Sequence, residues 1–298
     1  ELWQSLTFSK PKRCQGQPKD IPMKPLCIYH ANCLDGFASF MAVVTNFGSN
    51  NVEGFPAQYG DEAPIGLCRD RDVYIVDFSY PRDELLQISA TCKNLVVLDH
   101  HVSAERELQG EFPDNVFIKF RMNRSGVGIT WDYFHRDPMP MVFKYVQDRD
   151  LWKFEYKQTK EVCAALFSRP MTIFEWERFV DASVSIDTLV HEGAALRREH
   201  ENRCAKLCEM KQYRTVAGVS VPTVNAPAWY ASDVGNMLAD EAPFALVYQW
   251  DGEQYRCSLR SSKMGGSDVS LVAGLFGGGG HKNAAGFSVK CLSELGEV

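Results

Sequence analysis

The chain has no apolar run approaching the ~18 residues that a bilayer-spanning helix requires, so no part of its 298 residues is expected to cross a membrane. Its ten cysteines (Cys14, Cys27, Cys33, Cys68, Cys92, Cys163, Cys204, Cys208, Cys257 and Cys291) include no C-x-x-C pair. Their spacing is irregular, and several sit inside apolar runs, where cysteine behaves as a small hydrophobe. A disulfide framework is not expected in a chain of this length, and a reducing, cytoplasmic compartment is. No basic excess is present either: 32 Lys and Arg stand against 38 Asp and Glu, a net charge of -6. That excludes a global field drawing in a long duplex and favours a local site that reads a few phosphates. There are no internal repeats. The opening Glu1-Leu2-Trp3-Gln4 lacks the charged and apolar regions of a signal peptide. It also lacks a methionine, so the sequence is expected to begin inside a longer product.

Hydrophobic content of 45% supports real cores, and the length suits about two domains of ordinary size. One stretch organises the chain: Leu95-Val96-Val97-Leu98-Asp99-His100-His101. Four apolar, partly β-branched residues read as a buried strand and run directly into an acid and two imidazoles. At the carboxyl end of a central strand in an α/β sheet, side chains project into the crevice where ligands bind. Carboxylate oxygen and imidazole nitrogen together suit Mn²⁺, Mg²⁺ or Zn²⁺. The same event occurs twice upstream. Leu26-Cys27-Ile28-Tyr29-His30 ends in a histidine and is followed by Ala31-Asn32-Cys33-Leu34-Asp35-Gly36; Val73-Tyr74-Ile75-Val76-Asp77 ends in an aspartate. Helical patterns between them would make these strands parallel neighbours. Downstream, Tyr145-Val146-Gln147-Asp148-Arg149-Asp150 adds two acids after an apolar segment.

The series His30, Asp35-Gly36, Asp77, Asp99-His100-His101 and Asp148 resembles the four motifs of the DHH phosphoesterase superfamily. Near the C-terminus, Ser258-Leu259-Arg260-Ser261 and Gly277-Gly278-Gly279-Gly280-His281-Lys282-Asn283-Ala284-Ala285-Gly286-Phe287 resemble that family's second domain, DHHA1. The resemblance covers roughly residues 25 to 290, and the glycine–histidine block is its most specific part. It implies an α/β fold with an N-terminal parallel-sheet DHH domain and a smaller C-terminal α/β DHHA1 domain. The expected divisions are an arm over 1–24, a catalytic domain over 25–185, a connector helix over 186–213 and a substrate-binding domain over 214–298.

In chain order, Pro11, Gly16, Pro18, Pro22 and several lysines mark the arm. A helix opens at Asp35 with its N-terminus toward the site and stops near Gly48; as an ordinary structural residue Asp35 would be its N-cap. A short strand is expected near Val52, a helix from Ser79 and Pro81 through Ala90, a strand over Val116–Phe120 and a helix over Val127–His135. Arg121 and Arg124 suit either substrate phosphate or plain surface, and Asp150 suits a cap or a pair with Arg149. His191, His200 and Cys204 fall on the connector as surface or seam residues. Cys204 and Cys208, at i and i+4 without further partners, read as packing. The second domain carries a helix opened by capping at Ala231-Ser232-Asp233, a hairpin across Asp251-Gly252, and a last helix from Ser267-Asp268 ending in the glycines. Glycines also let backbone N–H groups approach an anion.

The resemblance implies phosphodiester hydrolysis by water activated at Mn²⁺ or Mg²⁺, two ions being expected. It assigns His30, Asp35, Asp77, His100 and Asp148 to the metals, with Asp77 bridging. His101 would face the scissile phosphate or leaving group, and Asp99 would orient a histidine. Arg260, Ser261, Gly278, Gly279, Gly280 and His281 would grip phosphate and sugar. The chain departs from the family in its first motif. Many members carry Asp-x-Asp there, whereas Asp35 stands alone, so one metal site would be weaker, or completed by Asn32, Cys33 or water. The expected partners are short single-stranded RNA or DNA, or a (cyclic) dinucleotide, with no membrane and with pairing of two chains left open. The alternatives are a binding module of the same fold with reduced turnover, and a pyrophosphate or polyphosphate hydrolase.

Overall fold

The structure is a computed structural model that describes residues 23–296. Most of the expected N-terminal arm lies outside the described residues. Strands β1 (Leu26–His30), β2 (Glu53–Ala57), β3 (Asp72–Val76), β4 (Asn94–Asp99) and β5 (Val116–Phe120) form one sheet in the order β2-β1-β3-β4-β5. All four pairings are parallel. Alternate residues of each strand enter different cores. Cys27, Val76, Val96 and Leu98 pack with the helices Leu34–Phe47, Gly126–Phe134 and Met141–Asp150 on one face. Leu26, Ile28, Val73, Ile75, Leu95 and Val97 pack with Leu85 and Ile88 of the helix Arg82–Ser89 on the other. A sheet covered on both faces needs apolar residues at both parities, which is why these strands read as continuous apolar runs.

From β1 the chain crosses to β2 at one edge and then returns past β1 to β3. Crossovers therefore diverge between β1 and β3, and a crevice opens at their carboxyl ends. His30 ends β1, and Asp77 follows β3 immediately. Gly36 lets the first helix approach this edge, since a Cβ there would lie 2.2 Å from the His30 carbonyl oxygen.

Four helices, Met141–Asp150, Thr159–Phe167, Ile173–Val180 and the 24-residue Ile186–Glu209, lead to a second sheet. Its strands are β6 (Gln212–Val216), β7 (Val219–Asn225), β8 (Ala245–Trp250), β9 (Tyr255–Arg260), β10 (Gly279–His281) and β11 (Ala284–Val289). They run β10-β11-β9-β8-β7-β6, antiparallel except for β7 beside β8. The turn between β8 and β9 is held by Asp251, whose Oδ1 accepts from the Glu253 and Gln254 N–H groups at 2.9 Å. The helix Val269–Gly274 is capped by Asp268, which accepts from the Ser270 N–H. Ser232 and Asp233, expected to cap the helix Ala231–Ala239, do not; their side chains bond across to Arg260, Arg149 and His200. Among the described residues no helix is long and apolar enough to cross a membrane.

Candidate metal centre

The carboxyl ends of β1, β3 and β4 bring His30, Asp77, Asp99, His100 and His101 together. Asp77 is the hub. Its backbone turns through φ +56°, a left-handed conformation uncommon outside glycine, and this aims the side chain back across the strand ends. Asp77 Oδ1 lies 3.0 Å from His100 Nε2, and Oδ2 lies 3.7 Å from His30 Nδ1. Asp77 is only 1% exposed, yet Oδ2 has no hydrogen-bond partner. A buried carboxylate oxygen left unpaired is costly unless a cation takes it up. Gly126 makes room for this carboxylate: a Cβ there would sit 2.4 Å from the Asp77 Cβ.

Around Asp77 four triads place their donor atoms within 4.8 Å of one another: His30–Cys33–Asp77, Asp35–Asp77–His100, Asp77–Asp99–His101 and His100–His101–His281. The donor set fits a divalent cation. So do the charges. Burial and the neighbouring Asp77 and Asp150 push the Asp35 carboxyl well up. Asp150 is also raised, by burial and then by Asp77, against His100. Burial works against the His100 imidazolium, but Asp150, Asp77 and Asp35 hold it, pushing it up to about 10. Burial acts upward on Asp77, but the His100 hydrogen bond and the nearby His100 and His30 imidazoles outweigh it and hold the carboxyl well below its usual range. Protons thus compensate a cluster of acids that a metal ion would compensate directly.

Asp99 is fully buried. It accepts from Ser79 Oγ at 2.8 Å and from the His100 N–H at 2.7 Å, and its Oδ1 lies 2.7 Å from His101 Nδ1. Burial acts upward on Asp99, but the charge of His101 and its hydrogen bond prevail and bring it to about 2. An ionised Asp99 fixes the proton on His101 Nδ1 and leaves Nε2 for the cleft.

Two assignments change with the geometry. Asp148, expected as a ligand, turns away from the cluster. Its oxygens accept from the Glu155 N–H (2.9 Å), the Tyr156 N–H (3.1 Å) and Thr159 Oγ, tying down the next helix. Asp150 faces the cluster instead, with Oδ2 3.6 Å from His100 Nε2. It does not pair with Arg149, which bonds Asp233 at 3.3 Å. Asp35 is not the cap of its own helix, which starts after Cys33. Its carboxylate caps the neighbouring helix instead, accepting from Gly126 N–H (2.5 Å), Val127 N–H (3.2 Å) and Ser125 Oγ (2.8 Å), while Oδ2 stays 3.8 Å from His100 Nε2.

Both sheets border one cleft of about 1270 Å³, lined among others by His30, Asp77, His101, Arg260, Lys263 and His281. His281 stacks on His101 with centroids 4.6 Å apart, and burial followed by the His101 and His100 charges lowers it to about 3. Arg260 bonds Ser258 Oγ, the Leu259 carbonyl and Ser232 Oγ. No carboxylate of the described residues pairs with it, and burial lowers it to about 10. Ser261, expected to grip substrate, does not line the cleft. Its hydroxyl donates to the Ser267 carbonyl and accepts from Asn283 Nδ2. The glycines also differ from the expected anion cradle. The Gly278 N–H bonds the Ala273 carbonyl, and the Gly280 N–H bonds Ser103 Oγ at 3.0 Å. Their lack of side chains serves close approach: a Cβ on Gly278 would meet the Gly286 carbonyl at 2.1 Å, and one on Gly279 would meet Ser103 at 2.8 Å. Arg121 and Arg124 both pair with Asp132 on the surface.

Several cleft residues belong to no motif, Tyr59, Lys263 and Ser103 among them. Tyr59 stands edge-on to His30 and His101 at 5.7 and 5.6 Å and is 45% exposed. Lys263 donates from the second sheet's side to the Leu151 and Trp152 carbonyls at 2.8 and 3.2 Å. Ser103 receives the glycine loop. Only Tyr59 had a sequence signal, an aromatic just beyond the carboxyl end of a strand.

All the motif residues except Asp148 thus gather at the carboxyl ends of the strands, with the glycine–histidine loop of the second sheet across the cleft from them. The fold is a parallel sheet followed by a second, mixed sheet, the α/β arrangement that the DHH/DHHA1 resemblance implies. No family model matches the chain. A protein of Acanthamoeba polyphaga mimivirus, described as "Uncharacterized protein R106", is 30% identical over 290 residues, covering 88% of this chain. This chain spans 66% of that relative's length. Among solved structures, this chain is similar to RecJ of Thermus thermophilus in complex with Mn²⁺ (14% identity, TM-score 0.49, 89% of this chain and 49% of that one). It is also similar to the pGpG-specific phosphodiesterase PggH of Vibrio cholerae (12%, 0.47, 91% and 95%) and to an exopolyphosphatase-related protein of Bacteroides fragilis (13%, 0.46, 91% and 88%).

Proposed function

We propose that this chain is a metal-dependent phosphodiesterase or exonuclease acting on short single-stranded RNA or DNA, or on a (cyclic) dinucleotide. The observation that carries this reading is Asp77. Its unpaired buried Oδ2 sits amid imidazole and carboxylate donors at the floor of a two-sided cleft. In this reading His30, Asp35, Asp77, His100 and Asp150 hold Mn²⁺ or Mg²⁺. Such an ion, when bound, polarises a phosphoryl group and lowers the pKa of water.

The remaining roles belong to the chain itself. Asp99 orients His101, whose Nε2 is placed to hold or deliver a proton at the leaving oxygen. Arg260 has no carboxylate partner, and its planar fork suits a substrate phosphate. His281, held neutral over His101, narrows the cleft so that a single strand enters more readily than a duplex. The test is turnover of 5′-labelled di- to decanucleotides and cyclic dinucleotides, with Mn²⁺ and with chelator. Metal-dependent cleavage that favours the shortest substrates is expected. Full turnover in excess chelator refutes the metal reading, and equal rates on closed circular duplex refute the length preference.

A further inference from the structure

The first motif has one carboxylate where the DHH resemblance implies two, and the position two residues before Asp35 is Cys33. We infer that Cys33 is a metal ligand, making the His30 side of the centre a mixed thiolate–imidazole–carboxylate site that favours Zn²⁺ or another borderline cation over Mn²⁺ and Mg²⁺. This rests on the metal centre proposed above and specifies the chemistry of one half of it.

Three observations meet here. Cys33 Sγ, a His30 ring nitrogen and an Asp77 carboxylate oxygen lie within 4.8 Å of one another. Asp77 Oδ2, buried and without a hydrogen-bond partner, lies 3.7 Å from His30 Nδ1. Two atoms bound tetrahedrally by one zinc, at bond lengths of ~2.0–2.3 Å, stand roughly 3.3–3.8 Å apart, so the His30–Asp77 separation already suits one ion. Third, the carboxylate nearest in sequence is engaged elsewhere. Asp35 accepts from the first turn of the helix Gly126–Phe134 and faces the His100 side of the centre, with Oδ2 3.8 Å from His100 Nε2, not the His30 side. Cys33 is held at the start of the helix Leu34–Phe47 by a turn in which Asn32 takes φ +57°, which places it beside the His30 end of β1. Among the buried cysteines, Cys27, Cys68, Cys163 and Cys257 lie in apolar clusters, and Cys204, 3.4 Å from His200 Nε2, belongs to no group of three donors within 4.8 Å of one another.

Ligand softness sets the preference. Thiolate selects zinc-like cations and imidazole suits them too, whereas carboxylate and water oxygens suit Mn²⁺ and Mg²⁺. On binding, the thiol gives its proton to solvent and the sulfur lone pair forms the metal bond; no electron changes hands. Three protein ligands leave one position of a tetrahedral ion for water or substrate.

The test uses the full chain, stripped with chelator and reloaded. Co²⁺ reports the ligand directly, because sulfur-to-cobalt charge transfer absorbs in the near ultraviolet and oxygen or nitrogen ligation does not. Wild type should show this band, and Zn²⁺ should abolish it at lower concentration than Mn²⁺. Cys33→Ser should lose the band and bind Zn²⁺ more weakly by at least about 10- to 100-fold, the loss known for groups one step further from a metal. Cys33→Asp should lose the band and bind Mn²⁺ at least as well as wild type. The wild-type band needs no variant, so a misfolded substitution does not remove the test. A chain that binds Co²⁺ and Mn²⁺ without the band, or keeps the band in Cys33→Ser, overturns the thiolate ligand while the metal centre stands. A chain that binds no divalent cation overturns both.

Discussion

Asp148 and Asp150 lie two residues apart on one helix, and replacing each by alanine should have opposite consequences. Asp148→Ala removes the acceptor for the Glu155 and Tyr156 N–H groups and for the hydroxyl of fully buried Thr159. A hydrogen bond to a charged group contributes ~1.5–3 kcal/mol, and three sharing one carboxylate are not additive. The loss should be about 3–5 kcal/mol, somewhat under the simple sum of three such bonds. In a unit of this size that lowers Tm by roughly 6–20 °C. Asp150→Ala removes a carboxylate whose closest charged partner, His100 Nε2, is 3.6 Å away and whose ionisation Asp77 opposes. Stability of the metal-free protein should therefore hold or rise slightly, while Mn²⁺ affinity falls by about 10- to 100-fold or more. Thermal unfolding in chelator, paired with calorimetric Mn²⁺ titration well below Tm, separates the two. Unchanged Tm with lost Mn²⁺ binding in Asp148→Ala, or wild-type Mn²⁺ binding in Asp150→Ala, refutes the exchange of roles.

Arg260→Ala should raise KM and lower kcat/KM by roughly 10- to 150-fold, corresponding to a lost charge-assisted contact of ~1.5–3 kcal/mol, with metal content unchanged; loss of metal in that variant contradicts the substrate-grip role. Gly126→Ala should displace Asp77, because the added Cβ lands 2.4 Å from its Cβ. The expected cost is about 1–3 kcal/mol together with weaker Mn²⁺ binding, and wild-type affinity would show that the centre tolerates the shift. His281 carries a pH signature. Its folded value is lowered from 6.5 to about 3, so between these values the unfolded chain binds the extra proton and stability falls as pH drops from 6.5 toward 3. Denaturant unfolding in chelator should show this slope in wild type and a flatter one in His281→Gln; identical slopes refute the burial of a neutral His281.

The local chain dictated the first sheet. Leu26–His30, Val73–Val76 and Leu95–Leu98 carry apolar side chains at both parities, which only a strand covered on both faces can bury, and the helices between them leave parallel pairing as the outcome. With each strand ending in His or Asp, the edge where polar groups converge followed from the sequence as well. What the sequence could not decide was which of two nearby side chains faces inward. Residues two apart on a helix point about 200° apart, so Asp148 and Asp150 cannot serve the same site, and only the packing of the helix Met141–Asp150 against its neighbours selects Asp150. The same holds for Arg260 and Ser261, adjacent at a strand end and therefore on opposite sides. The glycine run was legible as a special backbone but not as a packing device, because the atoms that forbid a Cβ at Gly278 and Gly279 belong to Gly286 and Ser103, the latter in the helix after His101. Side-chain chemistry and strand periodicity are written locally; direction and close approach depend on residues far along the chain, and only tertiary packing sets them.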